Sequence, residues 1–209
     1  MATTESAADA PAPVGLSPEV LVVTPRVEAR LADLLADERR RWGAVDPDLV
    51  PPLTILEQAV LAGGKRLRPT FCYWGFLAGG GDPASEGGDR MERVGAAFEM
   101  LHAFALVHDD IMDGADLRRG IPTSHTVFSR EHEREGWRGE SRRFGEAVAI
   151  LIGDLAHSYA ETLVHDLAAD ARAIWHDVQI ELMMGQYLDV LRSAASATAA
   201  PSWRGRSIV

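Results

Sequence analysis

Residues 89–113 read DRMERVGAAFEMLHAFALVHDDIMD and give the clearest indication of the fold class. Apolar side chains recur along this stretch every three or four residues, at Val94, Phe98, Leu101 and Ala105. This spacing predicts one long amphipathic helix, with Asp89 as its N-cap. Because no stretch of the sequence shows sustained period-two alternation, the whole chain is predicted to be all-α.

Shorter helices are predicted around this one, separated by breaks rich in glycine and proline. The predicted segments run from Pro25 to the DPDLVPP break and over about 53–62, 69–77, 144–168 and 170–192. The charge-dense residues 126–143 are predicted to be a solvated loop or a short surface helix. The sequence has no internal repeat and no second domain.

Composition at the two ends suggests where the domain begins and stops. Residues 1–24 are rich in Ala, Pro, Ser and Thr and are predicted to be a disordered tail. Residues 25–192 are predicted to form one helical domain. Residues 193–209, which include SAASATAAP, do not continue the helical pattern and are predicted to be a linker or an unrelated ending.

The overall composition excludes several classes of protein. The chain has 209 residues, 46% of them hydrophobic, and a formal net charge of −10. This charge argues against a nucleic-acid or anionic-membrane binder. No apolar run reaches the roughly 18 residues of a membrane span. The single cysteine, Cys72, excludes an internal disulfide framework and favours a cytoplasmic location.

Three aspartates are placed together at the end of the predicted long helix. Asp109 and Asp113 are about 40° apart on a helical wheel, and Asp110 lies within about 100° of Asp109. These carboxylates would repel each other unless a cation were bound, and oxygen-only ligands favour Mg²⁺ or Mn²⁺. The alternative, a solvated acidic helix end, is disfavoured because aspartate at a helix C-terminus opposes the macrodipole.

Two groups of cations flank the aspartates in the sequence. GGKRLRP places Lys65, Arg66 and Arg68 after a glycine pair, where a ligand can approach the backbone. Arg118 and Arg119 follow the aspartates directly. Lysine and arginine side chains bind phosphate, although such a group on its own is more often a surface patch. Beside the acidic cluster it predicts a site with two halves, one that binds a diphosphate through the metal and one that binds a diphosphate through direct cationic contacts.

Polar residues elsewhere are weaker candidates for the same site. His102 returns to nearly the same helix face as Asp109, where it would donate to a phosphate; the alternative is a hydrogen-bonded core histidine. His108 and His125 are less well placed. Gln186 and Asp189 either line the cavity or bond between helices, and their spacing does not separate these alternatives.

Four segments, in this order, resemble the trans-isoprenyl diphosphate synthase (polyprenyl synthetase) family: GGKRLRP, LHAFALVHDDIMDGADLRRGIPTSH, GEAVAILIGD and GQYLD. The resemblance covers about residues 27–192. It implies an all-α helical bundle around a central cavity, usually a homodimer. It also implies a 1'-4 condensation of isopentenyl diphosphate with an allylic diphosphate.

The resemblance also assigns roles to individual residues. It implies that Asp109, Asp110 and Asp113 hold Mg²⁺ on the allylic diphosphate, which Arg118 also contacts. The residues that match the isopentenyl diphosphate site are Lys65, Arg68, His102 and Arg119. Asp116 is interpreted as a residue that positions an arginine. Phe104 and Ala105 stand where the family sets product length, which favours a C20 product, with C15 next.

One part of the family pattern is not found in this sequence. No second DDxxD follows Asp113, and the family's C-terminal helices are therefore predicted to be missing. We expect this chain alone to be a weak or inactive prenyltransferase with a large exposed apolar surface. The alternatives are a non-catalytic subunit that pairs with a full-length synthase, a class I terpene cyclase, and a helical scaffold without a ligand. GGKRLRP argues against the cyclase, which has no second diphosphate substrate.

Overall fold

The computed structural model describes residues 20–196, and this part of the chain is almost entirely helical. Its helices are α1 Val20–Gly43, α2 Val50–Leu61, α3 Leu67–Ala78, α4 Glu86–Met112, α5 Ser124–Glu135, α6 Ser141–Leu163 and α7 Ala169–Ser196. One 3-10 turn, Pro47–Leu49, precedes α2. A two-stranded antiparallel hairpin, β1 Leu117–Arg118 and β2 Ile121–Pro122, lies between α4 and α5. The all-α prediction is confirmed.

Helix α4 is the centre of the bundle and packs against α1, α3 and α6. Its middle is buried, including Ala96, Ala97 and Met100. The small residues let neighbouring helices approach closely, and Leu31 of α1 and Ile152 of α6 complete the core with no exposed surface. The apolar spacing that predicted α4 therefore also marks the residues on which the other helices pack.

The structure corrects several predicted boundaries. Ser85, not Asp89, caps α4, and its Oγ accepts from the backbone N–H of Gly87 at 3.1 Å. Asp89 instead pairs with Arg30 and Arg93. Helix α1 begins at Val20, inside the predicted tail, and α7 continues to Ser196, past the predicted boundary at 192. Residues 1–19 and 197–209 lie outside the described part, so the predicted tail and ending stay predictions.

The charge-dense residues 126–143 are more ordered and more buried than the prediction. Most of them belong to α5, which packs against α6, and Phe128 and His132 are buried. Arg134 lies on the opposite face and is exposed, and Glu135, the last residue of the helix, is exposed as well. The amphipathic pattern of α5 is hard to detect in the sequence, because its charged residues outnumber the few apolar residues that pack against α6.

Two glycines provide a matched test of the packing between α5 and α6. A Cβ at Gly145 would lie 2.2 Å from the backbone oxygen of His125, whereas a Cβ at Gly185 of α7 meets no described atom within 4 Å. Gly145→Ala is expected to lower the free energy of unfolding by about 1–3 kcal/mol through overpacking. Gly185→Ala is expected to raise it by about 0.5–1 kcal/mol through helix propensity. Urea unfolding measures both, and shifts of the same sign would contradict the α5–α6 contact.

The last helix leaves much apolar surface uncovered. Exposed side chains along α7 include Ile174 at 65%, Met184 at 63% and Tyr187 at 63%. Leu151 of α6 is 61% exposed. The exposed apolar surface expected from the sequence is therefore present. None of the described helices is both long and apolar enough to cross a membrane.

Candidate functional site

The acidic end of α4 holds Asp109 and Asp110 in different environments from Asp113. Asp110 is 6% exposed and Asp109 is half-buried. Asp113 is exposed and forms the C-cap, where its backbone N–H donates to the Asp109 carbonyl at 2.8 Å. The helical spacing thus places all three at one end of α4, as predicted, but only Asp110 is buried, Asp109 is half-buried and Asp113 is exposed.

Arg118 bridges these two carboxylates. Its Nε donates to Oδ1 of Asp110 at 2.7 Å, and its Nη2 donates to Oδ2 of Asp109 at 3.0 Å. Gln186 of α7 donates to the other oxygen of Asp109 at 3.1 Å. Gln186 therefore bonds between helices at the site itself, which resolves the two alternatives left by its spacing. Asp189 is exposed.

The hairpin between α4 and α5 separates the two arginines that follow the aspartates. Arg119 and Gly120 form its turn with φ values of 52° and 79°, the left-handed pair of a type I′ turn. Arg118, on β1, reaches the aspartates. Arg119, at the turn, lines a separate pocket. The hairpin thus directs two adjacent arginines to two different places, one to the aspartates and one to the pocket.

Burial raises the pKa of the Asp110 carboxyl, and the Arg118 guanidinium opposes this rise without cancelling it. The charge of Asp109 adds to the rise. A cation at this position therefore stabilises the ionised pair. In the described structure that cation is the guanidinium of Arg118.

The donor set fits Mg²⁺ chemically, but it is not assembled around one point. Among residues 20–196, no three His, Cys, Asp or Glu side chains are grouped as metal ligands. Carboxylate oxygens are the ligands that Mg²⁺ prefers, and Mg²⁺ commonly uses one or two of them with phosphate and water. Asp109 and Asp110 would supply these oxygens once Arg118 moved away, and Asp113 lies within one turn.

The cationic side of the site is an open pocket of about 510 Å³ beside α4. The four residues predicted to bind isopentenyl diphosphate all line it: Lys65, Arg68, His102 and Arg119. Gly63 and Gly64 form its rim with φ values of 78° and 148°, which only glycine adopts without strain. The tertiary structure thus brings together residues from α2–α3, α4 and the hairpin.

Arg66, which the sequence grouped with the ligand-binding cations, has a different environment. Its side chain is 5% exposed, and it donates to Glu28 at 2.8 Å and to Glu99 at 2.6 Å. Both glutamates were missed by the sequence analysis. A signal existed for Glu99, since it is a carboxylate within the apolar centre of α4, and a buried carboxylate needs a partner.

His102 is surrounded by cations. Burial, and after it the positive charges of Arg68, Arg118, Arg119 and Arg66, together lower the pKa of His102 from 6.5 to about 4. The imidazole is therefore neutral at pH 7. A bound diphosphate would reverse the sign of the local charge and favour protonation.

Replacing His102 tests this environment through the pH dependence of stability. Because the folded pKa is depressed, the neutral histidine contributes stability that is present above about pH 6.5 and is lost as pH falls through about 4. His102→Asn should therefore show a smaller loss of unfolding free energy across this window, measured by urea unfolding. His176→Asn, on the exposed side of α7, is the control. If His102→Asn lost as much unfolding free energy at low pH as wild type does, the lowered pKa assigned to His102 would be wrong.

The remaining predicted residues lie farther from the pocket. His108 contacts the Ile150 carbonyl at 3.1 Å, and a Cβ at Gly153 would clash with its ring. His125 is buried beside Thr123. The backbone oxygen of Asp116 accepts from Thr123, and its side chain lies near Arg142 and not beside Arg118 or Arg119. The predicted arginine-positioning role of Asp116 is thus not found for that pair.

Phe104, one of the two predicted product-length residues, lies on the side of α4 that faces α6. Phe104 is 7% exposed, and its ring meets the rings of His108 at 4.7 Å and His157 at 5.1 Å. Ala105 is half-buried. Neither lines the cationic pocket. Their role in product length stays a prediction.

The fold and site define an all-α protein with an acidic helix end beside a cationic pocket. The family model for polyprenyl synthetase matches residues 53–203, and the chain belongs to this family. The match extends beyond residue 192, where the recognised motifs stop.

Proteins with similar sequences support the family assignment. A short chain isoprenyl diphosphate synthase from Methanothermobacter thermautotrophicus is 35% identical over 164 residues, which is 75% of this chain and 43% of that protein. A probable farnesyl diphosphate synthase from Bradyrhizobium diazoefficiens is 39% identical over 137 residues, 65% of this chain and 33% of that protein. The chain spans less than half the length of these relatives.

A solved structure shares the fold. The geranylgeranyl pyrophosphate synthase from Corynebacterium glutamicum, complexed with isoprenyl diphosphate and magnesium, has a TM-score of 0.74 and 31% identity. The similarity covers 83% of this chain and 51% of that chain. The described helices therefore correspond to about half of an isoprenoid-synthase bundle.

Proposed function

We propose that this chain forms the isopentenyl diphosphate side and the first metal side of a short-chain prenyl diphosphate synthase. The reaction is a 1'-4 condensation of isopentenyl diphosphate with an allylic diphosphate, giving a C15–C20 product for isoprenoid biosynthesis. The observation that carries this proposal is that four predicted cationic or histidine residues line one pocket next to the aspartates: Lys65, Arg68, His102 and Arg119.

Each residue has a distinct part in this proposal. Arg68 and Arg119 donate to the diphosphate of isopentenyl diphosphate, Lys65 adds a mobile positive charge, and His102 donates from its ring. Asp109, Asp110 and Asp113 would hold Mg²⁺, or Mn²⁺ with the same oxygen ligands. When bound, the metal neutralises the charge of the departing allylic diphosphate. The Arg118 side chain would then move away from the two aspartates, and its guanidinium would donate to that diphosphate.

The proposal is tested by incubating the 209-residue chain with isopentenyl diphosphate, an allylic diphosphate and Mg²⁺, with products identified by mass spectrometry. Since no second DDxxD follows Asp113 in the sequence, we expect binding of isopentenyl diphosphate but slow or undetectable turnover. Calorimetry measures the binding. A failure to bind isopentenyl diphosphate would contradict the proposed site, and rapid turnover would contradict the expected weakness.

We further infer that the chain works in association with another subunit in the cytoplasm, as a homodimer or paired with a full-length synthase. The exposed apolar residues of α6 and α7 support association, because monomers rarely leave such surface uncovered. The alternative function, a non-catalytic subunit of a full-length synthase, would use the same surface. Light scattering of the purified chain tests self-association, and mixing with a full-length synthase tests pairing. The GGKRLRP pocket and the family match favour both over a terpene cyclase.

A further inference from the structure

A buried ion pair lies directly beneath the cationic pocket. Arg66 and Glu99 are each 5% exposed at the side chain, and Nη1 of Arg66 donates to Oε2 of Glu99 at 2.6 Å. Arg66 belongs to the loop before α3, and Glu99 belongs to α4. The pair therefore joins the two elements that carry Arg68 and His102.

The backbone at Arg66 explains why this pair matters to the loop. Arg66 has φ 45° and ψ 45°, a left-handed conformation that is uncommon outside glycine, and it is the N-cap of α3. Its carbonyl accepts from the Thr70 hydroxyl at 2.9 Å, and its Nε donates to Glu28 at 2.8 Å. Arg66 is thus held at its backbone by Thr70 and at its guanidinium by two glutamates, and these contacts stabilise the turn next to Lys65 and Arg68.

Glu99 has an oxygen that the pair does not use. Oε1 of Glu99 is buried and has no hydrogen-bond partner among the described residues. Nη1 of Arg68 lies 3.8 Å from this oxygen, and Arg68 is 44% exposed towards the pocket. Glu99 therefore attracts the guanidinium of Arg68 from below, while the other side of that guanidinium remains open to a ligand.

We propose that Glu99, held in place by Arg66, is a positioning residue that orients Arg68 for a diphosphate ligand. A carboxylate beneath an anion-binding pocket weakens anion binding by simple Coulomb repulsion. The presence of Glu99 is explained if holding the Arg68 guanidinium in place adds more binding free energy than the repulsion removes. A mobile arginine must lose side-chain freedom when the ligand binds, whereas a positioned one has already lost it. This inference rests on the proposed function, since it concerns how that pocket binds diphosphate.

Electrostatic repulsion and positioning predict opposite changes in the affinity of one variant for isopentenyl diphosphate. Glu99→Gln removes the negative charge but leaves an amide oxygen to accept from Arg66. Electrostatics alone predicts tighter binding of isopentenyl diphosphate, whereas positioning predicts binding weaker by about tenfold, the size expected when one charge-assisted hydrogen bond to the ligand is lost. Calorimetry on the full 209-residue chain measures the dissociation constant, and thermal unfolding shows whether the variant is folded.

Glu28→Gln is the matched control. It removes the same charge from the other partner of Arg66 and leaves an amide oxygen to accept from Nε, and Glu28 is 40% exposed and does not line the pocket. We expect its affinity to equal or exceed that of wild type, whatever its effect on stability. Equal weakening in both variants, or unchanged or tighter binding in Glu99→Gln, would overturn the proposal.

A double-mutant cycle keeps the test valid even if Glu99→Gln is unstable. Because Glu99 is proposed to act through Arg68, neutralising Glu99 should no longer weaken binding once Arg68→Met is present. Glu99→Asp, which keeps the charge and shortens the reach, replaces Glu99→Gln in the cycle if the latter does not fold. Additive losses would contradict the inference. Absence of binding by wild type would instead contradict the proposed function, so the two failures are distinguishable.

Discussion

Replacing Arg68 with methionine is expected to weaken the binding of isopentenyl diphosphate by about 10- to 100-fold. A charge-assisted hydrogen bond contributes about 1.5–3 kcal/mol, and each 1.4 kcal/mol is about a tenfold change in affinity. Arg68 lines the pocket beside His102, and it offers the forked donor that suits phosphate. Calorimetric titration of the full chain measures the change.

Arg90→Met provides the control for this loss. Arg90 is exposed near the start of α4 and does not line the pocket, so its removal changes the net charge of the chain equally. We expect less than about a twofold change in affinity for this variant, because a distant surface charge is screened by salt. Equal losses in the two variants would show that overall charge, and not the pocket, determines binding.

Replacing Arg118 with methionine is expected to lower the melting temperature by about 3–6 °C and to make it sensitive to Mg²⁺. Asp110 is 8% exposed at the side chain and would lose its cation, while Arg118 itself is 37% exposed. Breaking a fully buried pair costs about 3–5 kcal/mol, and the exposure of Arg118 reduces this to about 1–2 kcal/mol. Added Mg²⁺ should restore part of the loss, because Asp109 and Asp110 are then free to bind it.

Thermal unfolding with and without Mg²⁺ measures this effect without any substrate. The wild-type protein should respond less, since its own guanidinium neutralises the two carboxylates. Arg142→Met is the matched control, because Arg142 pairs with a single carboxylate, that of Glu146, on the exposed surface. Equal Mg²⁺ responses in wild type and both variants would contradict a metal-binding role for the pair Asp109 and Asp110.

Much of the fold and part of the site are readable from local patterns. The apolar spacing of residues 89–113 predicts the helix that became α4, because a helix brings residues three and four apart to one face. The same geometry places three aspartates at one end of it. The type of residue in GGKRLRP indicates phosphate chemistry, because arginine and lysine donate to phosphate wherever the chain places them. The boundaries were less accurate, because caps such as Ser85 depend on single backbone angles.

The sequence by itself determined the helical class, the acidic helix end and the supply of cations for a diphosphate. Only the tertiary structure decided which contacts each cation makes. Arg66 is turned inward by Glu28 and Glu99, which lie 38 and 33 residues away along the chain. The left-handed turn at Arg119 sends one arginine to the aspartates and its neighbour to the pocket. The family resemblance implied different roles for Arg118 and Arg119, but contacts between distant residues and the sign of a single φ angle leave no local pattern. The contacts of these arginines are therefore seen only in the folded chain.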